Sequence, residues 1–268
     1  MEGVIDISWL QLSVFSLTLL IPAFICRHLK INLEKEILIS IFRMALQLTM
    51  VGFYLSYLFQ LNLLIVNIVW LVIMVLIGSL SIIDKARLPK KALWLAVSSG
   101  LFAGCVPVLL TLCIIIIQPV PFYSTQYMIP LAGMLLGNTL SGNIVALQNL
   151  FSAFTIRKNE YEGAIALGAS PQYASRLFVQ DAFKKAIAPI LASMTTIGLV
   201  TLPGMMTGQI LGGAAPVTAV KYQFLIMVAI FVVLTVSLLI TIKMVLRSCL
   251  SKEGKVLVSF IDEETLDN

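Results

Sequence analysis

Asn159-Glu-Tyr-Glu-Gly-Ala-Ile-Ala-Leu-Gly-Ala-Ser-Pro-Gln-Tyr-Ala-Ser-Arg-Leu177 is the middle of a polar segment, Ser152 to Lys185, set between two hydrophobic runs that carry no charged residue. Every other stretch of similar length is either apolar enough for a bilayer or a short connection. The chain has 268 residues, 59% of them hydrophobic and only 12% charged, with a mean hydropathy of +1.01. That composition lies far outside the range of soluble domains. The fold class expected is therefore an all-α polytopic membrane protein.

A spanning helix needs about 20 apolar residues. Runs of this kind fall near Ser8–Cys26, Ile37–Phe59, Leu61–Ile83, Leu93–Ile117, Tyr127–Phe151, Ala186–Leu211 and Tyr222–Ile242, which predicts seven spans. Their connections alternate in charge. Arg27, His28, Lys30 and Lys35 follow the first run, Lys85, Arg87, Lys90 and Lys91 the third, Arg157, Lys158, Arg176, Lys184 and Lys185 the fifth, and Lys243, Arg247, Lys252 and Lys255 the last. The connections after the second, fourth and sixth carry no Lys or Arg before Lys221. The positive-inside rule then places the N-terminus outside, the C-terminus in the cytosol and the polar segment in the cytosol. The formal charge of +5 is accounted for by topology and does not call for nucleic acid. Glu2 and Asp6, without a basic n-region or a small-residue cleavage site, predict that the first run is retained. Residues 1–250 thus read as one transmembrane domain containing the cytosolic segment 152–185, followed by a short tail over 251–268.

Chemistry-bearing residues are few. Cys26, Cys105, Cys113 and Cys249 form no CxxC pair and read as small apolar packers. His28 stands alone among basic residues and is given no role, since metal sites need several donors. The second run holds Arg43, with Gln47, Met50, Tyr54 and Tyr57 on the same helical stripe. An arginine at this depth either faces a polar interior or snorkels to the headgroups, and both readings stand. In the fourth run Gly100, Gly104 and Pro107 predict close packing and a kink. Gly133, Gly137 and Ser141 in the fifth are four apart, the spacing of close helix contacts. Asn138, Ser141, Gly142, Gln148 and Asn149 add a polar line there, serving interhelical hydrogen bonds or a translocation path. The charge-free region 186–220 is too long for one span and too short for two. Its interruption at Pro203-Gly204, flanked by Met205 and Met206, predicts a broken helix, a device common at transporter substrate sites. Gly208 and Gly212 predict close packing of the second half.

The quoted segment itself reads as a helix with Tyr161, Ala164 and Ile165 on one face and Glu160 and Glu162 in its first turn. Gly168 ends it, and Ser170 caps a second helix with Pro171 at its first position. An amphipathic surface helix would explain as much. At these residues the chain resembles the permeases of ABC transporters, whose coupling segment follows Glu-Ala-Ala-x-x-x-Gly. Glu162-Gly-Ala-Ile-Ala-Leu-Gly168 matches with Gly163 in place of the first Ala, and Ala169-Ser170-Pro171 follows; the family's downstream Ile-x-Leu-Pro is absent, with Phe178-Val-Gln-Asp181 in its place. A closer resemblance covers most of the chain. Arg43-Met-Ala-Leu-Gln-Leu48, Ile129-Pro-Leu-Ala-Gly-Met-Leu-Leu-Gly-Asn138, Leu167-Gly-Ala169, Gly198-Leu-Val-Thr-Leu-Pro-Gly-Met-Met-Thr-Gly208 and Lys221-Tyr-Gln223 look like the FetB-type permease family, also called the UPF0014 membrane proteins.

That resemblance implies iron export under oxidative stress in bacterial members, working with a separate ATPase subunit, and aluminium tolerance in plant relatives. It implies a multi-pass protein of the plasma (bacterial inner) membrane, assembled as a homodimer with two ATPase subunits and without nucleic acid. Glu162, Gly163, Ala164, Leu167, Gly168, Ala169 and Ser170 would contact the ATPase. No GxxxxGK[ST] loop occurs, so ATP and Mg²⁺ would be held by the partner and this chain would carry no cofactor and no catalytic residue. Arg43, Gln47, Asn138, Pro203, Gly204, Met205, Met206 and Gln209 are the residues assigned to a substrate path. Amides with two thioethers make a weak donor set, suited to a cargo that must be released, whereas Arg43 would repel a cation. A stand-alone secondary carrier and an ABC exporter of a non-metal solute remain as alternatives; an intramembrane enzyme lacks HExxH, paired acids and a mid-span lysine.

Overall fold

The computed structural model describes residues 6–31, 33–251 and 253–257, and among them every element is helical apart from two isolated β-bridges. Expectations resting on Glu2, Lys252 and the tail beyond 257 lie outside the described residues. Eleven helices follow in order: α1 (Trp9–Ser16), a 3₁₀ turn (Leu17–Leu19), α2 (Leu20–His28), α3 (Glu34–Leu61), α4 (Leu64–Lys85), α5 (Lys90–Thr111), π-type turns (Leu112–Ile117), α6 (Thr125–Ile156), α7 (Lys158–Ala166), α8 (Pro171–Ala174), α9 (Arg176–Thr196), α10 (Gly204–Leu211) and α11 (Pro216–Cys249). They divide into two compact units, residues 1–61 with 208–215, and residues 62–207 with 216 onward.

In the first unit, Ser8 starts α1 with a reciprocal capping box: its side chain accepts from Gln11 N–H at 3.3 Å, while Gln11 Oε1 accepts from Ser8 N–H at 2.9 Å. The 3₁₀ turn joins α1 to α2, so Trp9–His28 forms a helical run of 20 residues, long and apolar enough to cross a bilayer. Lys30 takes a positive φ of 53° at the end of α2, where Ile31 N–H bonds back to Cys26 O at 3.1 Å.

The second unit is a bundle whose directions can be read from its contacts. Gly100 of α5 lies against Thr241 of α11, and Gly104 against Val233 and Ser237, so residue numbers rise on one helix as they fall on the other. α5 and α11 are therefore antiparallel. Ser98 Oγ donates to Ser79 Oγ at 2.8 Å, and Gly78 faces Leu101, which makes α4 and α5 antiparallel as well. Asn67 meets Thr125 and Lys85 meets Gln148, so α4 and α6 run the same way. α9 returns along α6, with Phe178 on Phe154 and Lys185 on Asn149. The ends of α4, α6 and α11 and the starts of α5 and α9 consequently share one end of the bundle. This is the basic end, with Lys85, Arg87, Lys90, Arg157, Lys243 and Arg247.

The core between these helices is aliphatic. Ile82, Leu93, Val97, Leu101, Leu147, Leu150, Val233 and Leu238 are all fully enclosed. Burial removes apolar surface from solvent at about 25 cal/mol per Å² where the competing phase is water, but within a bilayer close packing must supply the association. The α5–α11 seam does so. A Cβ on Gly100 would overlap Thr241, and one on Gly104 would come within 2.8 Å of Val233 O, so only glycine permits this approach. At the opposite end, Asn67 Nδ2 donates to Tyr123 O at 2.6 Å and Thr125 Oγ1 donates to Asn67 Oδ1 at 2.9 Å, tying α4 to the loop before α6.

Several expectations change. Six helices are long and apolar enough to cross a membrane among the described residues, at Trp9–His28, Lys35–Leu61, Leu64–Lys85, Lys90–Ile117, Thr125–Ile156 and Pro216–Cys249. The run expected as a span at Ala186–Leu211 is split, as the interruption at Pro203-Gly204 predicts, with the break extending back to residue 197. α9 stops at Thr196, residues 197–203 turn through Gly198 at φ 86°, and α10 restarts at Gly204. Pro203 supplies a carbonyl to Thr207 N–H at 3.0 Å and so stands just ahead of α10. The predicted small-residue contact through Gly133, Gly137 and Ser141 is not made within the second unit. Gly133 meets only the flexible tip of Met74, at 3.6 Å from a Cβ, no atom of that unit lies within 4 Å of a Cβ on Gly137, and Ser141 is exposed. Gly142, one residue further on, is the one pressed against Leu234. Gly208 likewise meets nothing in its own unit, and Gly212 meets only backbone of its own helix. α5 continues through Pro107 and ends in π-type turns over Leu112–Ile117.

Candidate functional site

The polar segment at the basic end is built on four aromatic rings. Phe151 and Phe154 close α6, Tyr161 projects inward from α7 and Phe178 from the first turn of α9. Phe154 stands edge-on to Tyr161 at 5.1 Å and to Phe178 at 5.4 Å, while Tyr161 and Phe178 lie 6.4 Å apart at 41°. Edge-to-face geometry places positive ring edges on negative faces and fixes the three helices in one arrangement. Tyr161 is only 2% exposed, its hydroxyl finds no hydrogen-bond partner, and burial pushes its pKa up.

Arg157 joins α6 to α7 and completes the lock. Its guanidinium sits 4.7 Å over the Phe178 ring, pairs with Glu160 at 2.6 Å and reaches Asp181 of α9 at 3.5 Å. The hydrogen bond from Arg157 holds the Glu160 carboxyl below its ordinary range, and Glu160 in turn raises Arg157. Lys158 and Glu162 add a looser pair at 3.6 Å.

α7 ends as its sequence dictates. Ala169 N–H bonds to Ala164 O at 3.0 Å and Gly168 N–H to Ile165 O at 2.9 Å, with Gly168 at φ 91°. This is the paired C-terminal arrangement that requires a left-handed residue, and glycine adopts it without strain. Ser170 then accepts from Tyr173 N–H at 3.3 Å, with Pro171 opening α8. The expected second helix is divided: α8 has four residues, Ser175 is buried at the junction, and α9 begins at Arg176.

The segment therefore has two unlike faces. Inward, Tyr161 and Ile165 pack against the bundle with Ala164 half-buried, and Ile165 also meets the turn at Gly254, where a Cβ would lie 2.9 Å from its Cδ1. That turn belongs to a hairpin in which Leu250 bridges to Val256 and Leu257 N–H reaches Cys249 O at 2.7 Å. Outward, Glu162, Gly163, Leu167, Gly168 and Ser170 are exposed, Leu167 at 91%, and a Cβ on Gly163 or Gly168 would meet open space.

The residues assigned to a substrate path are placed differently. Arg43 and Gln47 lie one turn apart on α3 and are exposed; Gln209, in the same unit, carries a side-chain oxygen shielded from solvent without a partner. In the second unit Asn138 donates to Met134 O of its own helix at 2.8 Å, Gly204 stands in the open, Met205 packs on the core and Pro203 and Met206 are half-buried. Gln148 and Asn149 make interhelical bonds, Gln148 to Lys85 O at 2.9 Å and Asn149 from Lys185 Nζ at 2.8 Å. Among the described residues no cluster of three His, Cys, Asp or Glu could hold a metal, and all four cysteines are free.

Sequence reasoning passed over Asn143. It is wholly buried on α6, donates to Thr139 O at 3.0 Å and Ser237 Oγ of α11 at 3.2 Å, and leaves its Oδ1 without a partner. Thr241 Oγ1, one turn along α11 from Ser237, is also buried and unpartnered. The signal was available: Ser237 and Thr241 are spaced four apart on one face of an apolar helix.

Comparison with known proteins places this architecture. The model of an uncharacterised protein family, UPF0014, matches residues 9–250. The UPF0014 membrane protein YjkA of Bacillus subtilis is 32% identical over 220 residues, covering 81% of this chain and 86% of its own. The probable iron export permease protein FetB of Escherichia coli is 33% identical over 224 residues, 83% of this chain and 84% of its own. Protein ALUMINUM SENSITIVE 3 of Arabidopsis thaliana is 33% identical over 201 residues, 74% and 71% respectively. No solved structure matches the chain. A family match from the first helix to the last, with relatives aligned over most of their length, establishes that the chain belongs to the UPF0014 family of membrane proteins.

Proposed function

We propose that this chain is the membrane-spanning permease subunit of an ABC transporter that exports a metal ion, iron, with ATP hydrolysed by a separate ATPase subunit. The observation that carries the reading is the two-faced segment from Lys158 to Ser170. It is fastened inward by the aromatic cluster and Arg157, and bare outward at Glu162, Gly163, Leu167 and Gly168. A single exposed leucine is ordinary on a protein surface. An exposed leucine on a glycine-flanked turn whose other side is rigidly held is suited to entering a groove of a partner and passing its movement to the bundle. The iron cargo comes from the name of the Escherichia coli relative. In the assembly the permease is a homodimer in the plasma membrane with two ATPase subunits, and ATP and Mg²⁺ reside in the partner.

Arg43, Gln47, Asn138, Pro203, Gly204, Met205, Met206 and Gln209 are the residues proposed to meet the cargo along its path. Their oxygen, nitrogen and thioether donors bind weakly and release readily, and Arg43 fits a structural or anion contact better than a cation contact.

The test has two arms. Glu162→Trp and Gly168→Val, each expressed with the partner ATPase subunit, should lose co-purification and transport; normal complex and transport in both sinks the coupling assignment. Cellular iron in a deletion strain should rise and return to normal on complementation, and unchanged iron would dismiss the cargo while leaving the coupling intact.

A further inference from the structure

We infer that the cleft between α8, the start of α9 and the end of α11 is a site for the headgroup of an anionic phospholipid. The cleft has a volume of about 710 Å³ and lies at the basic end of the second unit. Three cations line it: Arg176 from the first turn of α9, and Lys243 and Arg247 one turn apart on α11. No carboxylate lines it. Among the described residues the acidic side chains seen in ion pairs at this end are spent elsewhere, Asp84 on Lys90, Glu160 and Asp181 on Arg157, and Glu162 on Lys158, and none of these pairs includes Arg176, Lys243 or Arg247. Three like charges facing one cleft repel each other unless an anion joins them.

The shape selects a lipid over a soluble anion. Val179, Leu246 and Leu250 form an apolar wall beside the cations, and Leu246 and Leu250 continue the apolar stripe of a helix long enough to cross the bilayer. A phosphodiester would sit among the cations, with the Gln180 amide for its glycerol oxygens, while the first acyl carbons follow the leucines. Basic recesses between membrane helices bind anionic headgroups by this combination of charge and apolar contact. A free phosphate would leave the wall bare and most of the volume unfilled. Ser170, the residue that closes the proposed coupling turn, also borders the cleft, so a bound lipid would bridge that turn to α11. The inference does not depend on ATP use or on iron, and stands if the transport reading fails.

The experiment is native mass spectrometry of the full-length protein in detergent, titrated with phosphatidylglycerol or phosphatidylcholine of the same acyl chains. Phosphatidylglycerol should be retained in preference to phosphatidylcholine, and each charge removed in Arg176→Gln, Lys243→Gln and Arg247→Gln should weaken retention about fivefold. Lys91→Gln, an exposed basic position outside the cleft, should retain the lipid normally. Equal retention of both lipids by the unaltered protein overturns the site, and this arm holds even where a variant fails to fold. An equal loss in Lys91→Gln overturns it as well, because it would indicate diffuse attraction. Displacement of the lipid by excess inorganic phosphate would assign the cleft to a soluble anion and likewise overturn the proposal.

Discussion

At the scale of single residues, Arg157 has the widest reach, since one guanidinium touches Glu160, Asp181 and the Phe178 ring. Arg157→Gln should loosen α7 from α9 and weaken ATPase association while leaving the membrane helices folded, measured by co-purification beside circular dichroism. The Glu160 carboxyl reports the same contact. Its folded pKa is depressed by the Arg157 hydrogen bond, so the contact's contribution is complete above the ordinary carboxylate value of about 4.3 and is lost as pH falls through the lower folded value. Around neutral pH the pair should be insensitive to acidity. A carbon-13 titration of Glu160 should show a midpoint below that of a free glutamate, returning toward it in Arg157→Gln; an unchanged midpoint would dismiss the contact. The Glu162-to-Gly168 spacing and the Ser170-Pro171 cap were legible because they are local. Arg157, Asp181 and Phe178 were not, because their contact joins residues up to 24 positions apart and no spacing rule spans a helix, a turn and another helix.

At the scale of elements, the seam of α5 and α11 is the most demanding contact in the second unit, since its two glycines face backbone and short hydroxylated side chains instead of flexible tips. Gly100→Val should cost on the order of 3 kcal/mol through overpacking, seen as a lower midpoint in thermal unfolding. Gly137→Val, with no neighbour in its own unit, should leave that midpoint nearly unchanged. The sequence showed glycines four apart on both α5 and α6 but could not rank them. A repeat of small residues marks a possible approach, and only the partner helix decides which repeat is used. Asn143 was overlooked for the related reason that its partner, Ser237, lies 94 residues away. The hairpin after α11 is a smaller case: Gly254 at φ 86° sits against Ile165, so Gly254→Val should detach the hairpin from α7 and increase hydrogen exchange across Lys158–Ala166.

At the scale of the whole molecule, the apolar runs located the long helices and the charges predicted which of their ends belong together. Lys85, Lys90, Arg157, Lys243 and Arg247 do share one end of the second unit, as antiparallel and parallel contacts independently require. The split at residues 197–203 leaves one crossing to be argued. α6 finishes at the basic end and α9 begins there, yet α11 also finishes there after a helix of 34 residues, about 51 Å long. The chain must therefore reach the opposite side between Arg176 and Pro216, and α9 with the turn and α10 is the only length available to do it. A non-helical turn at membrane depth is tolerated where protein or a water-filled cavity satisfies its backbone. The seven-span reading of the sequence requires that crossing and predicts termini on opposite sides. Cysteine placed at Asp6 or Glu253, in a chain with its four native cysteines replaced, should be labelled by an impermeant maleimide from opposite faces of oriented vesicles. Labelling of both from one face would overturn the seven-span reading.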